Sequence, residues 1–301
     1  MFSSSNTTER FDVHRTLTAR IVEAIEAGAG AFAMPWHVSG PSVGRPTNAL
    51  SGVCYRGVNV VALWAEAMLA GYSSGAWASY RQWTRLGAQV RRGERGATIV
   101  FYKPREQRED EVAGDDSGPQ LIARASRVFN ADQVAGWARS DPPAGAGAAD
   151  LIAVEAFVQA TDAKVRHGGQ VACYRPREDV IEMPDRGRFL ATEAGTATEG
   201  YYAVLLHELT HWSGAAHRLG RNFGERFGDE AYAFEELVAE LGAAFLCADL
   251  AVSNAPRPDH AAYVSNWLKV LKGDRKAIFL ASRLANQAAQ YLQALVERQG
   301  A

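Results

Sequence analysis

Residues His207–His217 read "HELTHWSGAAH". The first five have the spacing H-E-x-x-H. On a helix this puts His207 and His211 one turn apart on the same face, where two imidazoles can share one ion. It also aims Glu208 at a water bound to that ion. All eleven residues fit H-E-x-x-H-x-x-G-x-x-H as well, in which His217 would be a third ligand. The preceding residues support a helix. Thr196 and Glu199 have capping-box spacing, apolar Val204, Leu205, Leu206 and Leu209 flank the histidines, and Gly214 can end the helix.

The third ligand separates the two readings. A site completed by His217 rests on a downstream methionine turn. The four methionines are Met1, Met34, Met68 and Met183, and none follows His217. The competing ligand is a glutamate on a later helix, an arrangement that leaves one position open for water. "FEELVAE" supplies Glu235, Glu236 and Glu240, and Glu236 and Glu240 share a helix face. The simplest assignment makes Glu236 the ligand and lets Glu240 orient a ligating histidine from behind. Glu240 is long enough for the two roles to be exchanged. His217 then becomes a rim residue. Zn2+ suits this donor set, with Mn2+ as an alternative. The ion lowers the pKa of its water, and Glu208 takes the proton as that water attacks a carbonyl. Tyr201, Tyr202, Tyr232 and His217 are candidates for stabilising the oxyanion.

The bulk sequence bounds the rest. The 301 residues suffice for about two domains, and 47% hydrophobic with 22% charged residues is ordinary for a globular protein. Met1–Glu9 holds no apolar run, and no stretch of about 18 apolar residues exists, so neither a secretory leader nor a membrane span is expected. Cys54, Cys173 and Cys247 are scattered and odd in number, which suggests reduced thiols and a cytoplasmic location.

Net charge is −2, unevenly spread. Arg81–Arg108 carries eight basic residues against two acidic ones, Glu94 and Glu106. Aromatics interleave with these cations. Tyr55, Trp77, Tyr80 and Trp83 stand beside Arg81, Arg85, Arg91, Arg92, Arg95 and Lys103. Single-stranded DNA calls for such a mixture, with π-faces for unpaired bases and cations for phosphates. The competing account is that the tryptophans form a small core while the arginines solvate its surface.

"SDPPAGAGAAD" (Ser140–Asp150) reads as a linker, because two prolines end regular structure and the Gly/Ala run has nothing to pack. The expected organisation is a domain over 1–138, a linker over 139–150 and a second domain over 151–301. In the first, Val13, Leu17, Ile21 and Ile25 repeat at four-residue intervals on one helix, "NVVALWAEAMLAGY" makes a second and "WASYRQWTRLG" a short third. "ATIVFYK" and "LIARASRVF" are strand-like runs around a polar insertion, Arg105–Gln120. In the second domain, a helix from "EAFVQATDA" and a hairpin at "QVACYRPREDVIEMP" precede the His207 helix, and helices run from there to the end. The fold class is α+β, a small nucleic-acid-binding domain followed by a mostly helical, zincin-like domain with a small sheet.

Four stretches, "GRPTNALSGVCYRGVNVVAL", "VFNADQVAGW", "YYAVLLHELTHWSGAAHRLGR" and "AYAFEELVAELGAAFLC", resemble in order the ArdC-type antirestriction proteins of conjugative plasmids. The resemblance runs from about Phe11 to about Tyr291. It implies a single-stranded-DNA-binding domain joined to a zincin-like metallopeptidase domain, an unidentified protein substrate, and protection of plasmid DNA entering a restricting cell. His207, Glu208 and His211 match its metal motif and Glu236 its downstream glutamate, while His217 is not required. The alternative is a DNA-coating protein whose metal domain is structural.

Overall fold

Asp12 starts the first described helix by accepting hydrogen bonds from the backbone N–H groups of His14 and Arg15 at 3.0 and 3.2 Å. That helix, α1, spans Val13–Gly28. Val13, Leu17, Ile21 and Ile25 all lie on its buried side, as their four-residue spacing requires. The computed structural model describes residues 12–31, 33–37, 44–104, 121–137, 148–193, 195–223, 230–254 and 260–299. The polar insertion and nearly all of the expected linker lie outside these residues.

Helix α2 (Val58–Ala70) is apolar on most of its surface, and it is buried accordingly. Trp77 does not open a helix. It sits in strand β2 (Ala76–Ala78), and helix α3 is only Tyr80–Arg85, started by a Ser79–Gln82 capping box. Strands β4 (Ala97–Pro104) and β5 (Leu121–Asn130) pair antiparallel over their length, with Phe101 opposite Arg124 and Lys103 opposite Ile122. With β1 (Thr47–Asn48) they form a sheet of order β1-β2-β5-β4. Strands β3 (Gln89–Val90) and β6 (Val134–Ala135) make a separate two-stranded ribbon.

Helix α4 (Ala148–Ala160) leads into a three-stranded sheet. Strand β7 (Lys164–His167) runs parallel to β9 (Val180–Met183), and β8 (Cys173–Arg175) pairs antiparallel on the other side of β9. The hairpin is therefore β8–β9, at one edge of a sheet that also takes in β7. Helices α5 (Ala197–Ser213), α6 (Glu230–Asp249), α7 (His260–Gly273) and α8 (Ala277–Gln299) complete the chain. Among the described residues no helix is long and apolar enough to cross a membrane.

Side chains from both halves share one core. Ile21 and Ile25 of α1 and Val60 and Trp64 of α2 belong to the same buried cluster as Leu206 of α5, Phe245 of α6, Trp267 of α7 and Ile278 of α8. Trp36 packs against Trp267 with ring centroids 6.0 Å apart. Each such side chain contributes about 1.5–3 kcal/mol when removed from water. Two smaller clusters hold the sheet of the first half together, one around Trp83 and one around Trp77.

Candidate metal centre and its neighbours

The Thr196–Glu199 capping box closes the start of α5. The Thr196 hydroxyl accepts from the Glu199 N–H at 3.2 Å, and the Glu199 carboxylate accepts from the Thr196 N–H at 2.8 Å. The helix then runs unbroken through His207, Glu208 and His211, all buried or nearly so. It crosses α6 closely. A Cβ built on Gly242 of α6 would stand 2.4 Å from Cγ2 of Thr210 on α5, so only glycine lets the two ligand-bearing helices approach this far.

One group among the described residues can hold an ion. His207, His211 and Glu236 place ligand atoms within 4.8 Å of one another. Nε2 of His207 is 3.5 Å from one Glu236 oxygen, and Nε2 of His211 is 3.5 Å from the other. Two imidazoles and one carboxylate, with room for water, are the donor set of a hydrolytic metal centre, so the residues fit the group. His217 stands apart from this cluster. Its side chain is 65% exposed, and it faces Asp179 at 3.6 Å.

Both imidazoles face a carboxylate from behind, and His211 is hydrogen-bonded to its own. Nδ1 of His207 lies 3.4 Å from Glu240, and Nδ1 of His211 lies 3.1 Å from Glu235. Such partners fix the tautomer and ring orientation of a ligating histidine. Glu235 is itself gripped by Arg221, whose Nε and Nη2 donate at 3.0 and 2.9 Å, with both side chains almost fully buried. Arg221 reaches it by passing over Gly214, where a Cβ would lie 2.7 Å from the guanidinium. The glycine after the helix therefore makes room for an arginine as well as ending the helix. Glu240 accepts from Trp36 Nε1 at 3.3 Å and lies 3.1 Å from His37 Nε2. Those two residues precede it by about 200 positions.

The charges are tuned for a cation. Burial opposes a charge on His211, but the Glu235 and Glu236 carboxylates outweigh burial and raise its pKa to about 10. Glu236 is held well below the usual carboxylate range against the pull of burial, because both histidines face it. Carboxylates therefore face both imidazoles across the site where an ion would bind. Oε2 of Glu208 accepts the backbone N–H of Tyr174 in β8 at 2.8 Å, which orients this carboxylate against the edge of the sheet. Tyr201 is paired with His167 at 2.8 Å, and Tyr202 donates to Glu155 and accepts from Arg186. Their hydroxyls are committed away from the ligand cluster. Tyr232 is half-buried on α6, one turn before Glu236.

The basic stripe divides. Trp77 is 1% exposed and Trp83 0% exposed, which corrects their expected role as stacking platforms for bases. Trp77 packs on Leu63, Ala97 and Val128. Trp83 meets Trp137 edge-on and donates from Nε1 to the Phe129 carbonyl at 3.0 Å. A buried indole offers no face to a base, and both residues build the small core. Tyr55 is half-buried, and its hydroxyl accepts from Asn48 at 3.3 Å. Tyr80 is exposed and accepts from Gln89 at 2.7 Å. Arg81, Arg85, Arg92, Arg95 and Lys103 are exposed. Arg91 is tied to Glu94 at 2.9 Å and to the Asp132 carbonyl.

Residues 11–134 match the model of the N-terminal domain of anti-restriction factor ArdC, and residues 152–284 match a zincin-like metallopeptidase. The metal-free crystal structure of the antirestriction ArdC protein from plasmid R388 is 38% identical, with a TM-score of 0.76, over 96% of this chain and 99% of that one. Its Mn(II)-bound form matches with 40% identity and a TM-score of 0.72, over 95% and 98%. A Sinorhizobium fredii protein, y4eC, is 43% identical over 94% of this chain and 92% of its own. The DNA primase TraC of Escherichia coli is 33% identical over 95% of this chain, which spans only 20% of that longer protein. The chain belongs to the ArdC family of antirestriction proteins, an ArdC-type N-terminal domain followed by a zincin-like metallopeptidase domain.

Proposed function

We propose that this chain is a metal-dependent peptidase that binds single-stranded DNA and protects plasmid DNA entering a restricting cell. The observation that carries the peptidase reading is the position of Glu208. It follows His207 directly on α5, the cluster offers three donors where a four-coordinate ion takes four, and a purely structural site needs no such carboxylate. His207, His211 and Glu236 would hold the ion, with zinc favoured by the donor set and manganese supported by the Mn(II)-bound R388 protein. A bound divalent ion lowers the pKa of its water and polarises a carbonyl. Glu208 accepts the proton of the attacking water and returns it to the leaving amine. Arg221, acting through Glu235, orients the His211 imidazole for ligation, and Glu240 faces Nδ1 of His207. Strand β8 pairs with β9 on one side only, and the Tyr174 N–H on its other edge already points at Glu208. An extended peptide adding to that edge would place its backbone beside this carboxylate.

The DNA-binding half of the proposal rests on the ArdC-type N-terminal domain and on the TraC relative. A conjugating plasmid enters as a single strand, so a protein on that strand acts before its duplex forms. The test compares wild type with Glu208→Gln. The variant should keep its ion by elemental analysis, keep DNA binding and lose hydrolysis of a protein substrate. If wild type cleaves nothing in a broad peptide library under metal-replete conditions, the chain is a DNA-coating protein instead.

A further inference from the structure

A groove of about 880 Å³ runs between the two halves of the chain, and none of the ligand cluster lines it. One wall is the β4–β5 ribbon and the start of α2. The other is the exposed face of the C-terminal helix α8 with Lys276 just before it, and His14 of α1 packs there on Phe279. Arg56, Lys276 and Arg283 line it, and none of its described lining residues is Asp or Glu. All three cations are exposed. Tyr102 from β4 and Phe279 from α8 enter it from opposite sides, and Tyr102 is 48% exposed. The first turn of α2 opens into the same space. Its cap is Gly57, which contributes no side-chain acceptor to the helix's first N–H groups. Asn59 of that turn is spent on β4, exchanging hydrogen bonds with the Val100 N–H and C=O at 2.8 and 2.7 Å. This pairing fixes the ribbon wall in place.

The geometry points to this interdomain groove, and not the Arg81–Arg95 stretch, as the path of single-stranded nucleic acid. The inference deepens the DNA-binding reading given above and rests on it. Three observations select the ligand. A row of cations without a carboxylate among them suits a phosphate backbone. An exposed aromatic ring suits unpaired bases, and Tyr102 offers one here, whereas Trp77 and Trp83 of the basic stretch are buried and leave that stretch Tyr80. Amide side chains of α8, Gln287 and Gln290, supply donors and acceptors without adding negative charge. The ribbon extends the surface beyond the groove, where exposed Phe101 lies opposite Arg124 and has the Lys103 ammonium 5.8 Å from its ring centre. Because α8 contributes half of the wall, the site takes residues from both ends of the chain.

The test measures binding of a fluorescent oligothymidylate by the full-length, metal-loaded protein across a salt series. Three variants are compared with wild type: Arg56→Gln with Arg283→Gln, Tyr102→Ala, and Arg81→Gln with Arg92→Gln and Arg95→Gln. Each cation on a single strand contributes about 0.7 to the salt slope, so the first variant should lose about 1.4 of it and bind at least tenfold more weakly. Tyr102→Ala should weaken binding about tenfold. The third variant should bind within about threefold of wild type. All changed residues are exposed, and unchanged melting temperature and metal content verify the fold. If the first two variants bind as wild type does while the third loses affinity, the groove is not the DNA path and the DNA-binding reading stands. If wild type binds no oligonucleotide, both fall. If polyglutamate displaces the oligonucleotide as well as unlabelled oligothymidylate does, the groove is a general anion site and the proposal is overturned.

Discussion

Replacing Gly242 with alanine adds one methyl group where α5 and α6 touch. In a helix interior that change normally stabilises, by about 0.5–1 kcal/mol, because glycine is the poorer helix former. Here the new Cβ would stand 2.4 Å from Cγ2 and 2.8 Å from Oγ1 of Thr210. Thr210 cannot swing away cheaply, since it is fully buried and its hydroxyl donates to the Leu206 carbonyl at 2.8 Å. The helices must part, and overpacking of this kind costs about 1–3 kcal/mol. The net expectation is a melting temperature lowered by roughly 2–8 °C. The displaced surfaces carry Glu236 on one side and His207 and His211 on the other, so ion affinity should fall with stability. Thr210→Ala in the same chain removes both clashing atoms and leaves Cβ at 3.2 Å. A double-mutant cycle monitored by thermal melting and by metal titration should therefore show a favourable coupling of about 1–2 kcal/mol. Additive effects, or a Gly242→Ala protein more stable than wild type, would refute the claim that this contact sets the spacing of the ligand helices.

Arg221→Ala leaves Glu235 buried without its cation, so it should cost about 3–5 kcal/mol in chemical denaturation and loosen the ion through His211; a Glu235→Gln change in the same chain should recover part of the stability. Trp83→Ala should lower stability by about 3–5 kcal/mol, and any loss of DNA binding should track the unfolded fraction and disappear at low temperature. His37→Ala removes a partner of Glu240, and a competition assay against a metal-binding dye should show about tenfold weaker ion binding with the helical circular dichroism unchanged.

Periodicity and local hydrogen bonding were readable from the residues. The spacing of Val13, Leu17, Ile21 and Ile25 marks one buried helix face, and Thr196 with Glu199 marks the start of the helix that carries His207 and His211. Both signals lie within a few residues of the structure they determine. Tryptophan burial is different, because it depends on which elements close over the ring. "WASYRQWTRLG" presents the same letters whether its aromatics face water or Leu63 and Val128, and the strand at Ala76–Ala78 replaced the start of the expected helix. The groups behind the histidines were equally hidden. Arg221 follows His211 by ten residues with no motif to mark it, and Trp36 and His37 meet Glu240 only because α1, α2 and α6 share a core. An arginine crossing a glycine leaves no periodic trace, although Gly214 before Arg221 is a signal that close backbone approach could have suggested.

The grip of Trp36 and His37 on Glu240 also sets a lower limit on what can be moved as a cassette. A segment beginning at residue 151 would take His207, His211 and Glu236 but leave behind two of the side chains that anchor the glutamate beside His207. The ligands and their support come from opposite ends of the sequence. A recombination event that cut between them would deliver a metal site with slack in it. Inside TraC, which is several times longer, the stretch similar to this chain covers 95% of it in one piece. Grafting experiments should respect the same length, and carry the region around residue 36 along with α5 and α6.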